Sequence, residues 1–147
     1  MSRGARLNVD LSGLVRQLDG IADKGLAAVK VGLYETAGAV AAAIQSEAGT
    51  LPFKGETVSQ IQSAIGIAKF TDTADGTNTS ISVDGYFADS GFPIVYFVRE
   101  VENGTSRIQA NPFMRRAANR VKAQAEAAGN EAAARFIQQY IDKLKED

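Results

Sequence analysis

The sequence of 147 residues contains no cysteine, no histidine and no tryptophan. The absence of cysteine excludes a disulfide scaffold, and the absence of both cysteine and histidine excludes a zinc site built on these ligands. The chain also lacks the side chain that most often serves as a general base near neutral pH. We therefore expect no catalytic residue, no metal site and no cofactor, and we predict that the protein is not an enzyme.

Net charge and long apolar runs are also lacking. The formal net charge is −1, so no bulk electrostatic field draws the protein to nucleic acid or to a membrane. No segment approaches the length of a transmembrane helix, and no signal-peptide pattern follows Met1. These features predict one domain over residues 1–147, made in a cytoplasm and without a membrane partner.

Apolar residues at helical spacing predict an N-terminal helical region over residues 10–48 and a C-terminal helix over residues 111–144. Gly32 and Gly38 lie inside the first region, and we interpret them as places where a neighbouring element approaches closely, from this chain or another subunit. Gly129 is expected to kink or split the second helix. At about 1.5 Å per residue that helix spans roughly 50 Å, so part of it is expected to project or to lie along another subunit.

Residues between the two helical regions predict a small sheet over residues 64–102. Alternating and β-branched residues place strands at 64–70, 79–83 and 94–101. A sheet with one apolar face needs helices to cover it. The predicted fold class is therefore α+β, with an antiparallel sheet of about three or four strands packed by an N-terminal helix and a long C-terminal helix.

The entry to the C-terminal helix carries strong local signals. Asn103-Gly104 is a turn dipeptide because both residues tolerate a positive φ. Asn111 is predicted to cap the helix, with Pro112 at its first position, where the missing N–H costs nothing. Phe113 then opens the apolar face of the helix.

The same stretch resembles the signature of a phage morphogenesis family. The two runs are ENGTSR at residues 102–107 and NPFMRRA at residues 111–117. They are similar to the small neck and tail-completion proteins of long-tailed phages, a family that includes lambda's minor tail protein Z. The positions that match are Glu102, Gly104, Thr105, Ser106, Pro112 and Phe113.

The resemblance implies a structural virion protein without catalysis or cofactor. Such a subunit forms a homo-oligomeric ring, expected to be a hexamer, at the head–tail junction. Its implied partners are other neck and tail proteins: a connector or stopper, a tail terminator or the tail tube. DNA would pass through the lumen of the ring. The matched residues are interpreted first as fold-defining and second as part of an interface.

The densest basic cluster comprises Arg107, Arg115, Arg116 and Arg120. Arginines on the N-terminal half of a helix can contact phosphates, so the alternative function is a small DNA-binding or assembly-factor protein that uses this cluster. We weigh this against salt bridges between subunits, with acids such as Glu100, Glu102 or Glu126, and favour the salt bridges because the net charge is slightly acidic. Arginines that line a ring lumen remain a third possibility.

Two further groups invite a functional interpretation. Glu100 and Glu102 share one face of the predicted third strand, as a general acid and base would, but a solvated strand face is the favoured interpretation. Tyr86, Phe87 and Phe92 lie in one loop, where they form a contact patch or cap the sheet. We favour the contact patch.

Overall fold

A computed structural model of the chain describes residues 7–8, 22–73 and 76–146. Within these residues it has four helices and five short strands. The helices are α1 (Ala22–Ala48), α2 (Gly55–Ala64), α3 (Ile94–Asn103) and α4 (Phe113–Glu146). The strands are β1 (Leu7–Asn8), β2 (Ile65–Ile67), β3 (Thr71–Thr73), β4 (Gly76–Asn78) and β5 (Ser80–Val83). The α+β class is confirmed, with the N-terminal and long C-terminal helices both present. The part of the predicted N-terminal helical region before Ala22 lies outside the described residues.

Helices α1 and α4 form an antiparallel pair. Glu47, near the end of α1, contacts Arg116 near the start of α4. Leu33, in the first half of α1, shares a buried cluster with Ala133 in the second half of α4. Helix α1 of the same chain thus lies along most of α4, where the sequence predicted a projecting segment or a neighbouring subunit.

The two helices pack tightly at Gly129, which is buried. A Cβ atom at this position would overlap the Thr36 hydroxyl oxygen and lie 2.7 Å from the Gly32 carbonyl oxygen. The Thr36 hydroxyl itself donates a hydrogen bond to that carbonyl, at 2.9 Å. Helix α4 runs through Gly129 without a break, so the predicted split is wrong. The glycine is there because helix packing leaves no room for a side chain.

The main sheet has the strand order β1-β5-β2, and both pairings are antiparallel. Ile65 pairs with Val83 and Ile67 with Ile81, which aligns the apolar residues of the two strands on one face. Ile81 and Val83 are fully buried. The antiparallel pairing of the strands predicted at 64–70 and 79–83 is thus confirmed, although the first is only Ile65–Ile67 and Ala64 belongs to α2. Strands β3 and β4 form a separate two-stranded ribbon.

The strand predicted at residues 94–101 is wrong, because these residues form helix α3. Their β-branched and aromatic composition favours a strand, but the burial follows a helical spacing. The buried residues are Ile94, Val95, Val98, Val101 and Glu102. Spacings of three and four place these side chains on one side of a helix, and core packing there overrides local β-propensity. The last strand of the sheet consequently ends at Val83, well short of residue 102.

The core lies where α1, α2, α3 and α4 meet the apolar face of the sheet. Its largest side chain with almost no exposure is Phe113, at the start of α4. Ile44 of α1, Ile61 of α2 and Val98 of α3 belong to the same cluster. Each helix thus contributes a large apolar side chain to one continuous core, and the position of Phe113 fixes how α4 enters it.

Helix α1 is apolar on more than its core side. Its segment Gly25–Ala48 is long and apolar enough to cross a membrane by length and composition, with a mean hydropathy of 1.3. The expectation that no segment reaches that length is therefore wrong. Half of the segment is buried within the protein, as in the core helix of a globular domain. The exposed residues of the segment are mixed: Leu26, Val31 and Tyr34 are apolar or aromatic, while Glu35 and Ser46 are polar.

The close approach at Gly129 predicts opposite effects for two glycine-to-alanine changes. Gly129→Ala should lower the free energy of unfolding by about 1–3 kcal/mol, because the added methyl forces apart two packed helices. Gly38→Ala is the matched control, since a Cβ there meets no atom within 4 Å. It should raise stability by about 0.5–1 kcal/mol through helix propensity. Urea unfolding of both variants checks this, and a neutral Gly129→Ala would contradict the packing described.

Candidate functional site

All six residues that match the phage family lie between the last turn of α3 and the first turn of α4. We call this segment, residues 102–116, the junction. It reverses the chain so that the end of one helix touches the start of the next. The hydrogen bonds and packing within the junction therefore show which role each matched residue has in the fold.

A buried carboxylate caps the start of α4. The backbone N–H groups of Met114 and Arg115 donate to Oε2 and Oε1 of Glu102, each at 3.0 Å. The Arg115 Nε atom lies 3.4 Å from Oε1 of the same carboxylate. The first N–H groups of a helix have no partner within it, and its N-terminus carries partial positive charge. One side chain from α3 thus satisfies two of these groups and places a negative charge at the favourable end of the helix dipole.

The other N–H groups at this helix end are paired as well. Asn111 donates from its backbone to the Val101 carbonyl at 2.7 Å, Phe113 to Asn111 at 2.7 Å, and Arg116 to Pro112 at 3.0 Å. Pro112 has no N–H to satisfy. Asn111 was predicted to cap this helix, but the Glu102 carboxylate of α3 caps it instead. The Asn111 side chain accepts a hydrogen bond from Arg116 Nη2, at 3.0 Å.

The turn that brings the two helices together depends on Gly104 and Thr105. Gly104 has a φ of 77° and ends α3, with its N–H donating to the Glu100 carbonyl at 2.7 Å. A Cβ at Gly104 would lie 2.8 Å from the Ala110 backbone nitrogen. The Thr105 N–H donates to the Ile108 carbonyl at 2.8 Å, and the Thr105 hydroxyl accepts the Ile108 N–H at 3.0 Å. Glycine is required here both by its φ and by lack of space.

The junction therefore uses most of the matched residues for folding. Glu102 supplies the cap, Gly104 and Thr105 the turn, and Phe113 a fully buried anchor. Pro112 is half-buried and occupies the helix start. The remaining match is Ser106, which is exposed and has no hydrogen bond within the described residues. This arrangement supports the fold-defining interpretation of the motif and leaves Ser106 as its one surface position.

A second charged group links α1 to α4. Glu47 accepts hydrogen bonds from Arg116 Nε at 2.9 Å and from Arg120 Nη1 at 3.0 Å. These two hydrogen bonds, of which the one from Arg116 has the larger effect, hold the pKa of the Glu47 carboxyl below its ordinary value of 4.5. The partners lie 69 and 73 positions apart in the chain, so only the tertiary fold brings them together. Sequence analysis had no signal for Glu47 as the acid.

The basic cluster is consequently divided between two carboxylates of the same chain. Arg115 pairs with Glu102, while Arg116 and Arg120 pair with Glu47. Arg107 is exposed and has no carboxylate partner within the described residues. Salt bridges from this cluster to acids of another subunit were expected. Three of the four arginines instead pair with acids of the same chain.

The two glutamates considered as an acid and base pair do not share a site. Because α3 is a helix, Glu100 is exposed while Glu102 is buried beneath α4. No group of three or more acidic, cysteine or histidine residues that could hold a metal occurs within the described ranges.

The aromatic loop divides into a buried and an exposed part. Phe87 is buried, and its ring packs edge-on against Phe97 of α3 with a centroid distance of 5.3 Å. Tyr86 and Phe92 remain 57% and 44% exposed. Phe87 thus closes the core, while Tyr86 and Phe92 remain accessible, as the contact-patch interpretation requires.

Comparison of the chain with protein-family models, with curated proteins and with solved structures gives no match. A function for the chain therefore has to be argued from the junction, the paired arginines and the exposed apolar surfaces.

The lowered pKa of Glu47 predicts a pH-dependent contribution to stability. Because the folded pKa lies below 4.5, the contribution is fully present above that pH and is lost as the pH falls through the folded pKa. Glu47→Gln should therefore be less stable than the wild type at neutral pH, and the difference should close in acid. Urea unfolding from neutral pH down to about pH 3 measures it.

Glu35→Gln is the matched control, since Glu35 is an exposed glutamate of the same helix without an ion pair in the described chain. Its stability should follow that of the wild type. A Glu47→Gln deficit that persists unchanged in acid would contradict the ion-pair account.

Proposed function

We propose that the chain is a structural virion protein of a long-tailed phage or prophage, which forms a homo-oligomeric ring at the head–tail junction. One observation carries the proposal: residues 102–113, which resemble the neck and tail-completion family, act together in the fold. Four of the six matched positions build one cap, one turn and one anchor, and Pro112 precedes the anchor at the helix start. A sequence likeness whose members share a physical task is stronger support than the same number of scattered matches.

The surface of the molecule supports an assembly role. Ten large apolar side chains are exposed among the described residues, on the loop before α3, along α1 and elsewhere. Contiguous exposed apolar surface marks a place where a protein binds another molecule. A ring subunit needs two such surfaces, because each copy contacts a neighbour on either side.

The DNA-binding alternative loses part of its support. Counterion release by arginine requires guanidinium groups that are free to neutralise phosphates. Arg115, Arg116 and Arg120 are instead paired with carboxylates of the same chain, while Arg107 has no carboxylate partner within the described residues. Glu47 and Glu102 thus offset two of the four positive charges of the cluster.

Counting the protein in virions tests the proposal. Quantitative mass spectrometry of purified particles from the source host would compare this chain with the portal protein. A six-fold ring predicts a fixed copy number of about half that of the portal. Hundreds of copies would assign the chain to the tail tube or capsid, and absence from particles would contradict a structural role.

A further inference from the structure

The junction contains the one asparagine–glycine pair of the sequence, Asn103-Gly104. In such a pair the glycine backbone nitrogen can attack the side-chain amide of the asparagine, because glycine has no side chain that blocks the approach. Asn103 is exposed and is the last residue of α3. The pair therefore carries a reactive amide at the point where the chain turns from α3 towards α4.

The reaction needs only water as a partner. The Gly104 nitrogen forms a bond to Cγ of Asn103, and the Cγ–Nδ2 bond breaks. The side-chain nitrogen takes up the Gly104 amide proton and leaves as ammonia. Water then opens the resulting succinimide ring at either of its two carbonyl carbons. The product is aspartate, or isoaspartate, in which the main chain continues through the former side chain.

The folded junction keeps the attacking nitrogen out of this reaction. The Gly104 N–H donates to the Glu100 carbonyl at 2.7 Å, so its proton is held in a hydrogen bond. Asn103 belongs to the last turn of α3, and ring closure requires it to leave the helical conformation. Gly104 also packs against Ala110, whose nitrogen would lie 2.8 Å from a Cβ at position 104. The attack therefore requires the junction to open.

Two side chains next to the pair keep the junction closed. Glu102 ties the end of α3 to the start of α4 through its bonds from Met114 and Arg115. The Thr105 hydroxyl accepts the N–H groups of Arg107 and Ile108, at 3.2 and 3.0 Å. Local opening of a folded protein depends on the contacts that each segment makes. These two groups thus set how often the Gly104 nitrogen becomes free.

We propose that Asn103 is a deamidation site under the control of the junction. The closed junction protects the amide, an open junction allows its conversion to aspartate or isoaspartate, and the modified chain closes the junction less well. The inference concerns the isolated chain and does not depend on the proposed role in a virion.

Both products disfavour the closed junction. A carboxylate at position 103 stands at the C-terminal end of α3, which carries partial negative charge, and it follows Glu102 directly in the chain. Isoaspartate also lengthens the main chain by a methylene group before Gly104, where Ala110 leaves no space. Because refolding does not reverse the hydrolysis, a chain whose junction has opened keeps a permanent chemical record of that opening.

Peptide mass spectrometry of the full chain measures the modification. The protein is incubated at neutral pH in native buffer and in guanidinium chloride, sampled over days and digested briefly. The peptide with Asn103 should gain the mass of an amide-to-acid conversion about tenfold or more faster in denaturant than in native buffer. Asn119 is exposed on α4 and is followed by arginine. It serves as the control within each sample and should stay largely unmodified in both.

Two variants test whether the junction supplies the protection. Glu102→Ala and Thr105→Ala should each deamidate faster than the wild type in native buffer, while circular dichroism shows that they remain folded. Glu100→Ala is the matched control, because it removes an exposed side chain of the same turn but keeps the carbonyl that binds Gly104. Each native rate is divided by the rate of the same variant in denaturant, which cancels effects of the substitution on the chemistry itself.

The stability of two further variants tests the consequence of the modification. Asn103→Asp reproduces one of the products. Asn103→Gln keeps a neutral amide, and its larger ring closes slowly. Urea unfolding should give a lower midpoint for Asn103→Asp than for Asn103→Gln.

Each of four results would overturn the proposal. No gain of mass in denaturant would remove the site. Equal rates in native buffer and in denaturant would mean that the fold gives no protection. Rate ratios of Glu102→Ala and Thr105→Ala that match the wild type would show that the protection arises outside the junction. An Asn103→Asp chain as stable as Asn103→Gln would show that the added charge does not disfavour the closed junction.

Discussion

The carboxylate of Glu102 fixes where the longest helix begins and how that helix meets α3. It belongs to α3, yet it accepts the first free N–H groups of α4, at Met114 and Arg115. The turn at Gly104 exists to bring these groups within reach, and the cap in turn sets the angle at which Phe113 enters the core. Once α4 is fixed there, it runs back along α1, where Gly129 permits close packing and Glu47 holds the two helices by ion pairs.

Local signals were enough to predict much of this fold. The periodicity of α1 and α4, the pairing of the strands at 64–70 and 79–83, and a special backbone conformation at Gly104 were all read from neighbouring residues. Helix α3 was missed because its β-branched and aromatic residues favour a strand, and its helical spacing includes a buried acid. An acid is normally assigned to the surface, so the presence of Glu102 made the buried face of α3 difficult to recognise from the sequence.

The candidate site was less accessible to sequence analysis, because its partners are far apart in the chain. The motif at 102–113 drew attention to the correct residues, but not to the cap that Glu102 provides. The arginine cluster was identified from the sequence. Its partner Glu47 was not, because Glu47 lies 69 positions before Arg116 and no local pattern links the two. Likewise, Gly129 reads as a helix breaker until the opposing helix is placed against it. Ion pairing and close packing are properties of the tertiary structure, and here three of the four arginines pair with carboxylates of the same chain.

Amide hydrogen exchange at Met114 and Arg115 tests the central claim most directly. Both N–H groups lie in the first turn of α4, where an uncapped helix leaves them open to solvent. The account predicts that NMR finds them protected in the wild type and in Glu100→Ala, but exchanging rapidly in Glu102→Ala while the fold persists. Rapid exchange of both amides in the wild type, or protection that survives the loss of Glu102, would contradict it.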